Sequence, residues 1–184
     1  MSRIAVFFAE GYEEIEALTV VDVCRRAGIE VQTVSVTGEK TVSGSHGIGV
    51  QMDLRFDEVD FDSLDMIVLP GGMPGTKGLE AHAGLMAQVD AFDRAGRCLA
   101  AICAAPSILG HRGILSGKKA GCYPGWEQHL EGAEISMEDA TVDGHVITGR
   151  GMGCAIPFSL AIVAKLLGQE QADRIAETIV FRRA

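Results

Sequence analysis

Short apolar runs alternate along the chain with longer amphipathic stretches. Ile4-Ala-Val-Phe-Phe8, Met66-Ile-Val-Leu69 and Cys98-Leu-Ala-Ala-Ile102 are continuous apolar runs, the pattern of strands covered on both faces. Residues 13–27 follow a helical period instead. Tyr12, Glu16, Val20, Val23 and Ala27 fall on one stripe, and Gly28 supplies a stop. Residues 29–36 are β-rich, and residues 42–50 carry Gly44 and Gly47 and read as a short hairpin. One or two helices are predicted over 78–95 and a short strand over 118–123. Paired strands are predicted over 133–147 around Asp143-Gly144, and helices over 155–167 and 169–183. This alternation predicts an α/β fold, a doubly wound, mostly parallel sheet with helices on both faces. No repeat or linker interrupts it, so one domain over 1–184 is expected. In such sheets ligands bind beyond the carboxyl ends of the strands. The loops holding Glu10 to Glu16, Gly71 to Gly75, Cys103, and Gly149 to Gly153 should therefore gather at one edge.

Composition narrows the function classes. The chain has 184 residues, 47% of them hydrophobic and 22% charged, with a formal net charge of -9. An acidic chain of this kind is a poor nucleic-acid partner. No apolar run is long enough for a bilayer and no signal peptide precedes Ile4, so a cytoplasmic protein without membrane contact is expected. Cys24, Cys98, Cys103, Cys122 and Cys154 show no CxxC spacing. Neither a disulfide framework nor a metal site is expected from them. Gly149-Arg-Gly-Met-Gly153 comes late in the chain and is not a dinucleotide fingerprint in that context, so no nucleotide or other cofactor is expected.

The candidate chemistry lies at Cys103. An apolar strand ends there, and Ala104, Ala105 and Pro106 open a predicted helix, with proline tolerated in the first turn. Strand, sharp turn and helix with a nucleophile at the turn is the layout of a nucleophile elbow. Small neighbours suit a strained backbone, and a helix N-terminus favours a thiolate. The alternative is a buried structural cysteine. Glu16 sits on the apolar stripe of the first helix. It is either a semi-exposed first-turn carboxylate or a buried one, whose raised pKa would let it donate a hydrogen bond to a thiolate. The glycines of Pro70-Gly-Gly-Met-Pro-Gly75 serve a turn, or place the Gly72 and Ala104 N–H groups around one spot as an oxyanion hole.

Five motifs in order carry a resemblance. Ala9-Glu-Gly-Tyr-Glu-Glu-Ile-Glu16, Arg25-Arg-Ala-Gly28, Leu69-Pro-Gly-Gly72, Ala101-Ile-Cys-Ala-Ala-Pro106 and Gly149-Arg-Gly-Met-Gly153 together resemble the ThiJ/PfpI superfamily. The branch they resemble most is that of the human Parkinson-associated deglycase and its bacterial relatives. The resemblance implies a flavodoxin-like three-layer sandwich related to class I glutamine amidotransferases, and a homodimer. It implies that Cys103 is the reactive, oxidisable cysteine, Glu16 its protonated partner, and Gly72 and Ala104 the backbone donors. Two departures bear on mechanism. Ala104 stands where the peptidase-like branch has a histidine, so the usual base for a cysteine amidohydrolase or peptidase is missing. Tyr123-Pro124 stands where the human-type branch has histidine and proline. His46 stands where that branch has an arginine reaching the cysteine across the dimer, so the partner subunit's His46 is the expected imidazole near Cys103. His82, His111, His129 and His145 are expected to be surface residues. Two function classes follow. One is a cofactor-free glyoxalase or deglycase acting on small reactive carbonyls or glycated protein. The other is a redox sensor or chaperone working through oxidation of Cys103.

Overall fold

The computed structural model describes residues 2–182. The chain runs β1 (Arg3–Phe8), α1 (Glu14–Arg26), β2 (Glu30–Ser35), β3 (Thr41–Ser43), β4 (Gly49–Gln51), β5 (Leu54–Arg55) and β6 (Met66–Leu69). It continues through α2 (Gly75–Ala81), α3 (Ala83–Arg94), β7 (Cys98–Ile102), α4 (Pro106–His111), β8 (Lys119–Ala120) and β9 (Glu134–Ile135). Last come β10 (Ala140–Asp143), β11 (Val146–Gly149), α5 (Ala155–Leu167) and α6 (Gln169–Thr178). Seven strands form one sheet in the order β10-β11-β7-β6-β1-β2-β5. Every pair is parallel except the β10–β11 hairpin at one edge. The β3–β4 hairpin and the short β8–β9 pair lie outside it.

The apolar runs are continuous because the sheet feeds two cores. Ile4, Val6 and Phe8 pack with Val20, Val23, Phe158 and Ile162 beneath α1 and α5. Ala5 and Phe7 point the other way and pack with Leu85, Val89, Phe92 and Ile108 beneath α3 and α4. The same alternation divides β6 and β7. Burying each large side chain contributes ~1.5–3 kcal/mol, so both faces are needed. The result is an α/β sandwich of the flavodoxin type.

Helix α1 begins with Glu14 and Glu16 in its first turn and ends with Arg25 and Arg26 in its last, each placed favourably for the helix dipole. It stops in a paired closure. Gly28, at φ 86°, donates to the Arg25 carbonyl, and Ile29 donates to that of Cys24. Two expectations need correction. The terminal helix was expected to run to residue 183, which lies outside the described residues; α6 ends at Thr178. The same closure forms there with Val180 at φ 58°, its N–H on Glu177 and that of Phe181 on Ala176. A β-branched residue in this conformation leaves no glycine signal. Elbow helix α4 starts only at Pro106, three residues after Cys103. No helix among the described residues is long and apolar enough to cross a membrane.

Candidate active site at the switch point of the sheet

From β1 the chain moves outward to β2 and β5, then returns to β6 on the other side of β1. The crevice where the strand order reverses is the usual ligand position in such sheets. The loops after β1 and β6 meet there: Glu13 donates its N–H to Gly71 (2.9 Å), and Gly75 donates to Gly11 (3.2 Å). Strand β7 is hydrogen-bonded beside β6 and delivers Cys103 to the same crevice.

Cys103 has φ 66°, a left-handed conformation that costs on the order of 1–3 kcal/mol for a residue with a side chain. Contacts from two other segments hold it. Its N–H donates to the Gly149 carbonyl (3.0 Å), and its carbonyl accepts from the Tyr123 N–H (2.8 Å). The turn after it is closed by the Ala105 N–H on Ile102 and by the Ser107 hydroxyl on Ala104 (2.7 Å). The N–H groups of Ala104 and Gly72 both reach the Cys103 sulfur.

Glu16 is 1% exposed. Its carboxyl is hydrogen-bonded to Cys103 and accepts the Gly71 N–H at Oε2 (3.0 Å). Burial pushes its pKa up to about 7, with the Glu13 charge adding and these two hydrogen bonds opposing. Burial and the adjacent Glu16 carboxylate push the Cys103 thiol up as well, against the pull of the Ala104 and Gly72 N–H groups. The sequence predicts an acidic thiol at a helix N-terminus; with Glu16 ionised, the folded site does the reverse. Two acids this close cannot both ionise easily, so they hold one proton between them. Burial also raises Cys24 to about 12 and Cys122 to about 11.

Sequence reasoning singled out Gly72 and missed Gly71. Gly72 adopts φ 92° against the backbone of Gly11 to Glu13. Gly71 is required for space: a Cβ there would stand 2.5 Å from the Cys103 Cβ and 2.6 Å from Glu16 Oε2. Nothing in the sequence separates it from a turn glycine.

Tyr123 lies beside the elbow through its backbone, and its half-exposed ring packs against Gly151. His46 is held elsewhere in its own chain. Its Nδ1 contacts Glu14 Oε2 (2.9 Å), and its N–H donates to Glu14 Oε1 (2.7 Å). Glu14 is therefore buried rather than free in the first turn. Burial raises its carboxyl, but the bonds from His46 and Ser45 outweigh this and lower its pKa to about 2. His82 and His145 are not plain surface residues either. His82 Nδ1 caps α3 by accepting the Leu85 N–H, and His145 Nε2 meets Asp93 (2.8 Å). Cys122 packs in the α3–α4 core and Cys103 against the α1–α5 core, and both are free thiols.

Comparison with known proteins gives the same picture. The model of the DJ-1/PfpI family matches residues 2–165. A DJ-1 homolog B from Arabidopsis thaliana is 36% identical over 98% of this chain, which spans only 42% of that protein's length. A protein of Pyrococcus abyssi named a deglycase is 32% identical, over 82% of this chain and 91% of its own. The oxidized DJ-1 structure from Toxoplasma gondii superposes with a TM-score of 0.95 at 33% identity, covering 100% of both chains. From the switch-point elbow to the sheet order and the matched motifs, the chain belongs to the DJ-1/PfpI family.

Proposed function

We propose that this chain is a cofactor-free glyoxalase or deglycase that acts on methylglyoxal or its protein adducts through Cys103. The observation that carries the reading is the buried Glu16 carboxyl bonded to a half-buried Cys103, whose sulfur also receives two backbone N–H groups. The thiolate state, with the proton on Glu16, has three donors around its charge: Glu16 O–H, Gly72 N–H and Ala104 N–H. The carboxylate state has two, the thiol and Gly71 N–H. That count favours the reactive form.

The thiolate attacks the aldehyde carbon of methylglyoxal, and the resulting alkoxide takes a proton to give a hemithioacetal. Glu16, directly or through a water, removes the proton from that carbon and returns one to the neighbouring carbon. The first carbon is oxidised and the second reduced, leaving a thioester and a hydroxyl. Water hydrolyses the thioester to lactate and frees the thiolate. The internal redox balance needs no external oxidant or reductant.

The experiment is lactate formation from methylglyoxal by the pure protein, before and after alkylation with iodoacetamide at mildly acidic pH. Cys103 should label ahead of Cys24 and Cys122, and lactate formation should stop in step with it. A wild-type protein that forms no lactate sinks the enzyme. Peroxide oxidation centred on Cys103 would then leave the redox-sensor reading, which the same donors support because they would also hold sulfinate oxygens.

We also propose a homodimer that packs through the groove beside α1. Ala17 and Val20 are buried in the core, whereas Thr19 and Val23 border this apolar groove. Ile15 and Ile48, 50% and 54% exposed, line the same groove with Leu18, Ile156 and Ile179. A second copy seated there would bring its His46 side of the molecule toward this groove. Light scattering should give twice the chain mass at micromolar concentration; a monomer removes His46 from any role at Cys103.

A further inference from the structure

We propose that His111 and His129 form a two-imidazole site for a divalent transition-metal ion, with Glu80 as the carboxylate behind His111. The three residues come from separate elements: Glu80 from the last turn of α2, His111 from the end of α4, and His129 from the 3-10 turn Glu127–His129. His111 Nδ1 lies 2.7 Å from Glu80 Oε1, and its Nε2 lies 3.1 Å from His129 Nδ1. The site described above does not use any of them.

The carboxylate fixes the tautomer. A Glu80 carboxylate accepts from His111 Nδ1–H, which leaves Nε2 as a bare lone pair directed at His129. A metal-bound histidine almost always has this carboxylate on its other nitrogen, where it orients the ring and raises ligand basicity. The spacing fits as well. Two imidazole nitrogens at about 2.0–2.1 Å from one ion stand roughly 2.9–3.4 Å apart for bond angles between square and tetrahedral. To accept the ion, the proton on His129 Nδ1 moves to its outer Nε2, so no proton is lost overall. Two nitrogens select the zinc, copper and nickel class over calcium or magnesium. The remaining positions stay with water, since His111 is exposed and His129 half-exposed.

The molecule carries its own reporter. Trp126 is the single tryptophan, and its ring lies 4.9 Å from that of His129. Ni²⁺ is a suitable probe because it is paramagnetic and does not oxidise thiols. Titration of wild-type protein should give saturable quenching of Trp126 fluorescence. His111→Gln and His129→Gln should each need at least about tenfold more Ni²⁺, and Glu80→Gln about 10–100-fold more. Cys103→Ala and His46→Gln should match wild type; the second tests the other cluster of potential ligands, Glu13, Glu14 and His46. A measurement on unmutated protein guards against misfolded variants. Zn²⁺ should shift the ring C–H resonances of His111 and His129 before those of His46, His82 and His145. Quenching that survives both histidine changes, or first shifts at His46, overturns the site.

Discussion

Cys103→Ala is expected to abolish lactate formation, and Glu16→Gln to lower it by about 10²–10⁴-fold, the usual contribution of a positioned general acid–base. The two variants fail for different reasons. Without the sulfur no hemithioacetal forms, so methylglyoxal should not be retained on the protein. Glutamine keeps a donor for the thiolate and fills the same buried space. Peroxide oxidation of Cys103 and formation of the hemithioacetal should therefore survive in Glu16→Gln, while the proton can no longer leave one carbon and return to the next. Mass spectrometry of the intact protein after methylglyoxal treatment separates these cases, with an adduct expected on Glu16→Gln and none at this site on Cys103→Ala. Near-wild-type turnover in Glu16→Gln would remove Glu16 as the acid–base group and shift attention to Tyr123.

Gly71→Ala is expected to cost about 1–3 kcal/mol of stability as an overpacked site and roughly 10²-fold in turnover, since displacements near 1 Å can cost that much. The added methyl has no room: both Cys103 Cβ and Glu16 Oε2 lie inside contact distance, and the Ile102 carbonyl stands 3.0 Å away. One of the two reacting groups must move. Gly153→Ala is the matched control, because a Cβ there meets nothing within 4 Å and its φ is not in the left-handed region. Thermal unfolding and lactate assays on both variants check this. Equal activity for Gly71→Ala and Gly153→Ala would show that the Cys103–Glu16 spacing is not critical.

The legible features of this chain are those whose cause is local. Continuous apolar runs mark strands buried on both faces, and a 3.6-residue stripe carries Glu16 inward with Val20 and Val23. A cysteine between an apolar strand and a run of alanines marks the elbow. What escaped depends on residues far apart in the chain. Glu14 is buried because His46, thirty-two residues on, closes over it. His111 is tied at once to Glu80 and His129, which no local pattern signals. Gly71 reveals its necessity only against Cys103 and Glu16. The end of α6 is set by Val180, a residue type that ordinarily avoids the conformation it adopts.

The backbone ties at Cys103 have a consequence for biosynthesis. The residues that hold it at φ 66° come later in the chain: Tyr123 clasps its carbonyl and Gly149 its N–H. A chain emerging from its amino end has already made Glu16, Gly71 and Cys103 before either clasp exists. Until β11 docks beside β7, the Gly149 tie on the cysteine N–H is missing, and the residue is free to leave its costly conformation. The nascent protein thus carries an unremarkable thiol, and reactivity toward carbonyls or peroxide arrives only with the closing strands. Ribosome-bound fragments ending before residue 149 should behave as if the elbow had not been built.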